Sequence, residues 1–201
     1  ARVAAALGTA AAALALTPLL RVGRVERELP ARLTAAFGST APRALPGAAA
    51  RLAPFLWRDL LLGVSRPAVR EDALRYARGC GPLELQLYRP LAPAGPLPLV
   101  VVVHGGSWRS GDRRELPELS RYLAARGYAV ASIDYALAPQ TTFPGPVEDV
   151  RDALAYLRGN AKELGLDGGK AVLLGRSAGA QIALAAAHAD EPIPGVAGVV
   201  V

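Results

Sequence analysis

From about residue 70 onwards, the sequence predicts an α/β domain with a mostly parallel sheet and helices on both of its faces. Apolar runs alternate with amphipathic helical segments along residues 70–201. The run "LVVVV", residues 99–103, is continuously apolar, which is typical of a strand buried on both faces. Segments long enough for a helix separate the later apolar runs, as parallel strand pairing requires.

The elements of this domain follow from local patterns. Two short alternating runs and a later set of apolar runs predict the strands, at residues 73–77, 83–90, 99–103, 128–135, 170–174 and 195–201. Leucines and alanines at helical spacing predict three helices between these strands, at residues 113–127, 145–165 and 178–189. The order β, β, β, α, β, α, β, α, β predicts crossover connections in the second half of the domain.

Composition excludes several classes of partner and site. The formal charge is +6 and the pI is near 10.0, but the arginines are scattered among acidic residues, without a basic run interleaved with aromatics. We therefore expect no nucleic-acid partner. Cys80 is the only cysteine and lacks metal-ligand spacing around it, so no disulfide within the chain and no metal site are predicted.

The N-terminal part predicts a membrane association. Residues 3–20 carry no charge and have about the length of a membrane-spanning helix. Arginines follow this segment at positions 21, 24, 27 and 32, which favours a cytoplasmic location for what comes after it. We predict an anchor at residues 1–22 and a helical connector at residues 23–69. A signal peptide, a buried alanine-rich helix and a soluble cytoplasmic protein are the alternatives.

Both ends of the chain indicate a piece of a longer protein. The sequence contains no methionine, and it stops at "GVAGVVV", inside a predicted strand. We expect residues 70–201 to be the N-terminal part of a domain that is incomplete at its C-terminus.

A serine between two glycines stands where a predicted strand turns into a predicted helix. The sequence there is Gly175, Arg176, Ser177, Ala178 and Gly179, which matches G-x-S-x-G. In that setting the pattern predicts a nucleophile elbow, because small residues on both sides allow a strained turn that exposes the serine oxygen. Tight packing between strand and helix is the structural alternative. We predict that Ser177 is the nucleophile.

A second motif follows the run of valines. It consists of His104, Gly105, Gly106, Ser107 and Trp108. A glycine-rich turn at this place can direct backbone N–H groups at a carbonyl oxygen. We predict an oxyanion hole from residues 105–107 together with the N–H of Ala178. His104 and Trp108 are expected to support the loop, and His188 lies too far along its helix to reach Ser177.

The motifs "HGGSW", "SIDYALAP", "FPGPVEDVRDALAYL" and "GRSAGA" resemble the α/β-hydrolase esterases of the hormone-sensitive-lipase-like group and their feruloyl-esterase and arylformamidase relatives. The resemblance implies an α/β-hydrolase fold, no metal or cofactor, and an acyl-enzyme mechanism on a small-molecule or lipid ester. It also implies a triad acid and histidine after the nucleophile, which we expect beyond residue 201, and structural roles for Asp134 and Asp149. The chain departs from the family pattern at four positions, Ser107, Ala136, Gln140 and Ala180.

Two alternatives to a carboxylesterase stay open at this point. An amide-cleaving relative, such as an arylformamidase or a peptidase, would use the same serine and oxyanion hole. A hydrolase-fold protein without activity could bind a partner or a membrane, although a binding module has no need of a strained serine. The acyl and alcohol specificity and the oligomeric state do not follow from the sequence.

Overall fold

The computed structural model describes residues 67–76, 82–188 and 193–201, together with nine positions nearer the N-terminus. These nine are Thr17, Arg21, Arg24, Arg27, Glu28, Ala31, Arg32, Thr34 and Ala35. The chain divides into two compact units, Ala1–Pro46 and Gly47–Val201. The first strand of the second unit begins at Val69, next to the boundary predicted at residue 70.

In the first unit, the nine described positions are helical. Glu28 accepts a hydrogen bond of 2.7 Å from Arg32 and lies 3.8 Å from the Nε of Arg24, pairs one helical turn apart that stabilise a helix modestly. Apart from Thr17 and Arg21, the predicted anchor at residues 1–22 lies outside the described residues, as do Cys80 and most of the connector. Among the residues that are described, no helix is both long and apolar enough to cross a membrane.

The second unit contains a six-stranded sheet with the order β1-β2-β4-β3-β5-β6. The strands are β1 (Val69–Arg75), β2 (Glu84–Pro90), β3 (Leu97–Val103), β4 (Ala129–Ile133), β5 (Leu166–Gly175) and β6 (Val196–Val200). β1 and β2 pair antiparallel, and β2 also runs antiparallel to β4. β4, β3, β5 and β6 are parallel to one another. The prediction of a mostly parallel sheet is confirmed.

Four helices connect these strands: α1 (Pro117–Ala124), α2 (Gly145–Gly159), α3 (Ala161–Leu164) and α4 (Ala178–Ala187). The sequence pattern placed the start of α1 four residues too early. Leu116 has a left-handed backbone with φ 53°, which interrupts the helix before Pro117. The predicted helix at 145–165 is divided at Asn160, where φ is −106° and ψ is 13°.

β3 lies at the centre of the core and is buried on both faces, as its unbroken valine run predicts. Val101 and Val103 belong to the larger hydrophobic cluster, which includes residues of α2 and α4. Val100 and Val102 belong to a smaller cluster with Ala124 of α1. Burial of this strand on both faces fixes its position relative to the helices, because side chains alternate between the two faces of a sheet.

Arg113 ties the loop after β3 to two neighbouring strands. Its backbone N–H and its Nη1 each donate to Asp134 at 2.7 Å, and its Nη2 pairs with Glu84. The arginine side chain is only 12% exposed, whereas Asp134 and Glu84 are 19% and 31% exposed. Asp134 therefore pairs with Arg113, whereas Glu84 also has a second, 76% exposed partner in Arg75, at 3.3 Å.

Replacement of Arg113 by alanine should lower the free energy of unfolding by about 2 kcal/mol, because the partly buried Asp134 would lose its compensating charge and Glu84 would keep only the exposed Arg75. Urea denaturation followed by circular dichroism measures this change. Arg70→Ala is the matched control, since that arginine is 63% exposed in its pair with Asp72 and should contribute less than about 0.5 kcal/mol. Equal effects of the two variants would contradict the structural role of Arg113.

Candidate active site

The two sequence motifs begin side by side at one edge of the sheet. β3 and β5 are parallel neighbours, and their register pairs Val103 with Gly175. His104 and Arg176 are therefore the first residues beyond the sheet on adjacent strands. The N–H of Arg176 donates to the carbonyl of Val103 at 3.2 Å, which continues the pairing one step further.

Ser177 lies at a strained turn between β5 and α4. Its backbone angles are φ 54° and ψ −118°, in a region that residues with a side chain seldom occupy. Gly175 and Gly179 allow the turn. A Cβ at residue 175 would overlap the backbone of Gly179 and Ala180, and a Cβ at residue 179 would overlap the carbonyl oxygens of Val103 and His104. Both glycines are thus required by close backbone contact.

The HGGSW segment forms a turn with three successive positive φ angles. They are 114° at Gly106, 52° at Ser107 and 61° at Trp108. The carbonyl of Gly106 accepts hydrogen bonds from the N–H groups of Arg109 and Ser110, at 3.0 and 3.1 Å, and from the Ser110 hydroxyl at 3.1 Å. The positive φ at Ser107 is a conformation that favours glycine, so the serine at this position adopts it at a cost in backbone strain.

A buried network fixes the peptide between Gly105 and Gly106. The Nδ1 of His104 lies 2.7 Å from the carbonyl oxygen of Gly105. The Tyr135 hydroxyl donates to the carbonyls of His104 and Gly105 at 3.1 and 3.4 Å, and the two rings stack with centroids 4.2 Å apart. Burial, and then the charge of Glu115, raise the pKa of Tyr135 to about 12, so its hydroxyl remains a donor at neutral pH.

This network determines where the N–H of Gly106 points. The C=O and N–H of a trans peptide point in opposite directions, so holding the Gly105 carbonyl towards His104 and Tyr135 turns the Gly106 N–H the other way. Within the described residues, neither this N–H nor that of Ala178 donates to a backbone carbonyl. A Cβ at Gly105 would lie 3.4 Å from the Cβ of Ser177, so the loop and the serine are in contact.

The remaining candidate residues lie apart from Ser177 or serve the loops. His188 is exposed and follows α4, eleven residues after the serine, or about 16 Å along a helix. Asp149 accepts a hydrogen bond of 2.9 Å from the N–H of Ala136, while its burial raises the pKa of the carboxyl group. In the part of the chain that the structure describes, no three His, Cys, Asp or Glu side chains are grouped so that they could hold a metal ion.

An apolar pocket of about 200 Å³ lies between the HGGSW turn and the helix that follows the serine. It is lined by Trp108, Phe143, Pro146, Val147, Gln181, Ile182 and Ala185. The side chains of Trp108 and Phe143 are 41% and 79% exposed, so the pocket opens to the surface between two aromatic rings. Gln181 lines the pocket one helical turn beyond Ser177, and its N–H donates to the carbonyl of Ser177 at 3.3 Å. The pocket therefore lies next to the serine.

The sequence around this site is similar to that of a known protein family. Residues 85–192, more than half of the chain, match the model of the BD-FAE family. The chain belongs to the BD-FAE family. The match covers both motifs and all the residues that line the pocket. It therefore includes all the residues of the site described above.

Individual proteins similar to this chain are named as esterases. The chain is 40% identical to a probable isoprenylcysteine alpha-carbonyl methylesterase of Oryza sativa subsp. japonica, over 51% of this chain and 25% of that protein. It is 39% identical to Esterase LipC of Mycobacterium tuberculosis, over 50% of this chain and 25% of that protein. A solved structure of a bacterial heroin esterase superimposes with a TM-score of 0.61 and 33% identity, over 70% and 46% of the two chains.

These similarities establish the α/β-hydrolase fold that the sequence predicts. The chain spans about a quarter of each of the two curated relatives and less than half of the solved structure.

Sequence reasoning missed several residues that shape the site. Tyr135 belongs to the motif "SIDYALAP", but nothing in the motif indicates that its hydroxyl reaches back to the loop after β3. Phe143 and Ile182 have no sequence signal as pocket residues, because the segment before α2 and helix α4 come together only in the fold. Glu115 has no motif at all, although it pairs with Arg176.

Replacement of Gly179 by alanine should destabilise the domain by about 1–3 kcal/mol, because the added methyl group meets backbone atoms of β3 that have no free space to enter. Gly159→Ala is the matched control. That glycine also lies in a helix, and a Cβ there meets nothing within 4 Å, so its replacement should be neutral or stabilising. Urea denaturation of both variants tests the contact, and equal stabilities would contradict it.

Proposed function

We propose that the protein is a serine carboxylesterase in which Ser177 attacks the ester carbonyl and the HGGSW loop, residues 104–108, stabilises the oxyanion. One observation carries the proposal. Ser177 has a strained backbone at the start of a helix, and it lies against the Gly105–Gly106 peptide, whose N–H faces away from the buried network. The names of the relatives, an esterase and a methylesterase among them, support ester rather than amide cleavage.

The proposed reaction has two steps. The Ser177 oxygen forms a bond to the carbonyl carbon and loses its proton to a histidine, while the carbonyl oxygen gains the negative charge. The N–H groups of Gly106 and Ala178 donate to this oxygen, with Gly105 or Ser107 in support, at the positive end of α4. The carbon–oxygen bond to the alcohol then breaks, the alcohol takes the proton, and water hydrolyses the acyl-enzyme.

The base of this reaction is proposed to lie after residue 201, where the resemblance implies the triad acid and histidine. His104 is a poor candidate, because it is buried and its Nδ1 contacts the Gly105 carbonyl. His188 is about three helical turns from the serine. A serine without a positioned base is a weak nucleophile, so residues 1–201 alone should have little activity.

The pocket beside Trp108 is proposed to hold the apolar group of the ester. A cavity of about 150 Å³ is large enough for one benzene molecule. The pocket of about 200 Å³ therefore has room for one ring or a short chain, and its opening between Trp108 and Phe143 allows the rest of the substrate to extend outwards.

Ser177→Ala should abolish hydrolysis of p-nitrophenyl acetate and butyrate by the protein expressed from its whole reading frame, with kcat lowered by at least about 10³-fold. Under the same conditions, residues 1–201 should be nearly inactive. Ser132→Ala serves as the control, since it removes a hydroxyl of β4 that has no hydrogen-bond partner among the described residues and belongs to neither the serine turn nor the HGGSW loop. Activity of the Ser177→Ala variant would eliminate the nucleophile, and a fully active fragment would show that the base lies within residues 1–201.

Ala185→Leu should reduce kcat/KM for butyryl relative to acetyl esters, or for bulky relative to small alcohol groups, by about tenfold, because the larger side chain fills the pocket. The series that responds identifies which side of the ester the pocket holds. Ala187→Leu, on the same helix but outside the pocket lining, is the matched control. Unchanged selectivity in both series would refute the proposed role of the pocket.

A further inference from the structure

One ion pair links the HGGSW loop region to the segment that carries Ser177. The guanidinium of Arg176 pairs with the carboxylate of Glu115, 61 residues away in the chain. Glu115 lies in the loop between β3 and α1, and Arg176 is the residue immediately before the serine. Within the described residues, no other ion pair joins these two segments.

Glu115 and the ring of His104 both lie next to Gly111. Its N–H donates to the carbonyl of Asp112 at 3.1 Å. Its Oε1 lies 2.8 Å from the position that a Cβ on Gly111 would occupy, and the same position would overlap the Nδ1 of His104. Gly111 has φ 100°, a conformation that favours glycine, and leaves the space that His104 and Glu115 share.

Both backbone polar groups of Arg176 are hydrogen-bonded. Its backbone N–H binds Val103 at 3.2 Å, and its carbonyl accepts from Gly179 at 2.9 Å. Its Nη2 lies 3.4 Å from the position of a Cβ on Gly105, so the guanidinium covers the first glycine of the loop. The arginine side chain therefore passes from the serine turn, over Gly105, to Glu115.

We propose that Glu115 and Arg176 are a positioning pair, which holds the HGGSW loop against the serine turn and so sets the distance between the Gly106 N–H and the reacting carbonyl oxygen. This inference rests on the proposed esterase function. The rival explanation is that the charge of Arg176 stabilises the oxyanion directly. The structure favours positioning, because Glu115 compensates that charge and the arginine side chain is 52% exposed to screening water.

The test is a double-mutant cycle with Glu115→Gln, Arg176→Gln and the double variant, in the protein expressed from its whole reading frame. We expect each single variant to lower kcat for p-nitrophenyl butyrate by about tenfold, since small displacements of reacting groups have large effects on rate. KM should change by less than about twofold, because the pair does not touch the apolar pocket. The double variant should be no slower than either single variant, since both remove the same contact.

The outcomes separate the two explanations. Full activity in Glu115→Gln with a loss in Arg176→Gln would overturn positioning in favour of direct charge stabilisation. Multiplicative losses in the double variant, or unchanged kcat throughout, would also overturn the proposal. If Arg176→Gln fails to fold, as judged by circular dichroism, Arg176→Lys replaces it in the cycle. Arg176→Lys should keep most of the activity when Glu115 is present. Combined with Glu115→Gln, it should lose that activity.

Two controls complete the experiment. Arg121→Gln removes an ion pair between α1 and β1, where the Nε of Arg121 lies 2.7 Å from Glu71, and should leave kcat unchanged. Ser177→Ala tests the underlying function. If that variant remains active, the esterase proposal fails; if it is inactive while the cycle shows no coupling, only the positioning pair fails.

Discussion

The pairing of β3 with β5 is the constraint on which the candidate site depends. Because Val103 and Gly175 are in register, the loop that follows β3 and the turn that follows β5 leave the sheet at the same level. Gly179 then lets α4 approach the carbonyls of Val103 and His104. A slip of β3 against β5 by one residue would displace the two loops by about 3.3 Å and break the contact between Gly105 and Ser177.

Much of the fold was predictable, because its elements depend on local patterns. The valine run of β3, the alternation in β1 and β2, and the helical spacing in α2 and α4 each correspond to an observed element. The errors lie at boundaries. The left-handed backbone of Leu116 delays α1, and β5 begins at Leu166 rather than at the predicted residue 170. Neither is determined by hydrophobic periodicity.

The site was predictable to the extent that motifs encode backbone geometry. The glycines at 175 and 179 indicate a tight turn, and the close contacts of their backbones provide the physical reason. Side-chain partners between distant segments were not predictable. Tyr135 reaches the loop from the end of β4, and Glu115 meets Arg176 across 61 residues. Such contacts are set by tertiary packing, for which a single sequence carries no local signal.

The strained backbone of Ser177 has a consequence for heat inactivation. A residue at φ 54° and ψ −118° keeps that conformation only while the surrounding structure enforces it. Regions of a protein open with different free energies, and backbone strain lowers the free energy that is needed to open this turn. Warming should therefore distort the geometry of the turn below the temperature at which the sheet unfolds. Loss of the proposed esterase activity would precede loss of secondary structure, and it would be reversible on cooling.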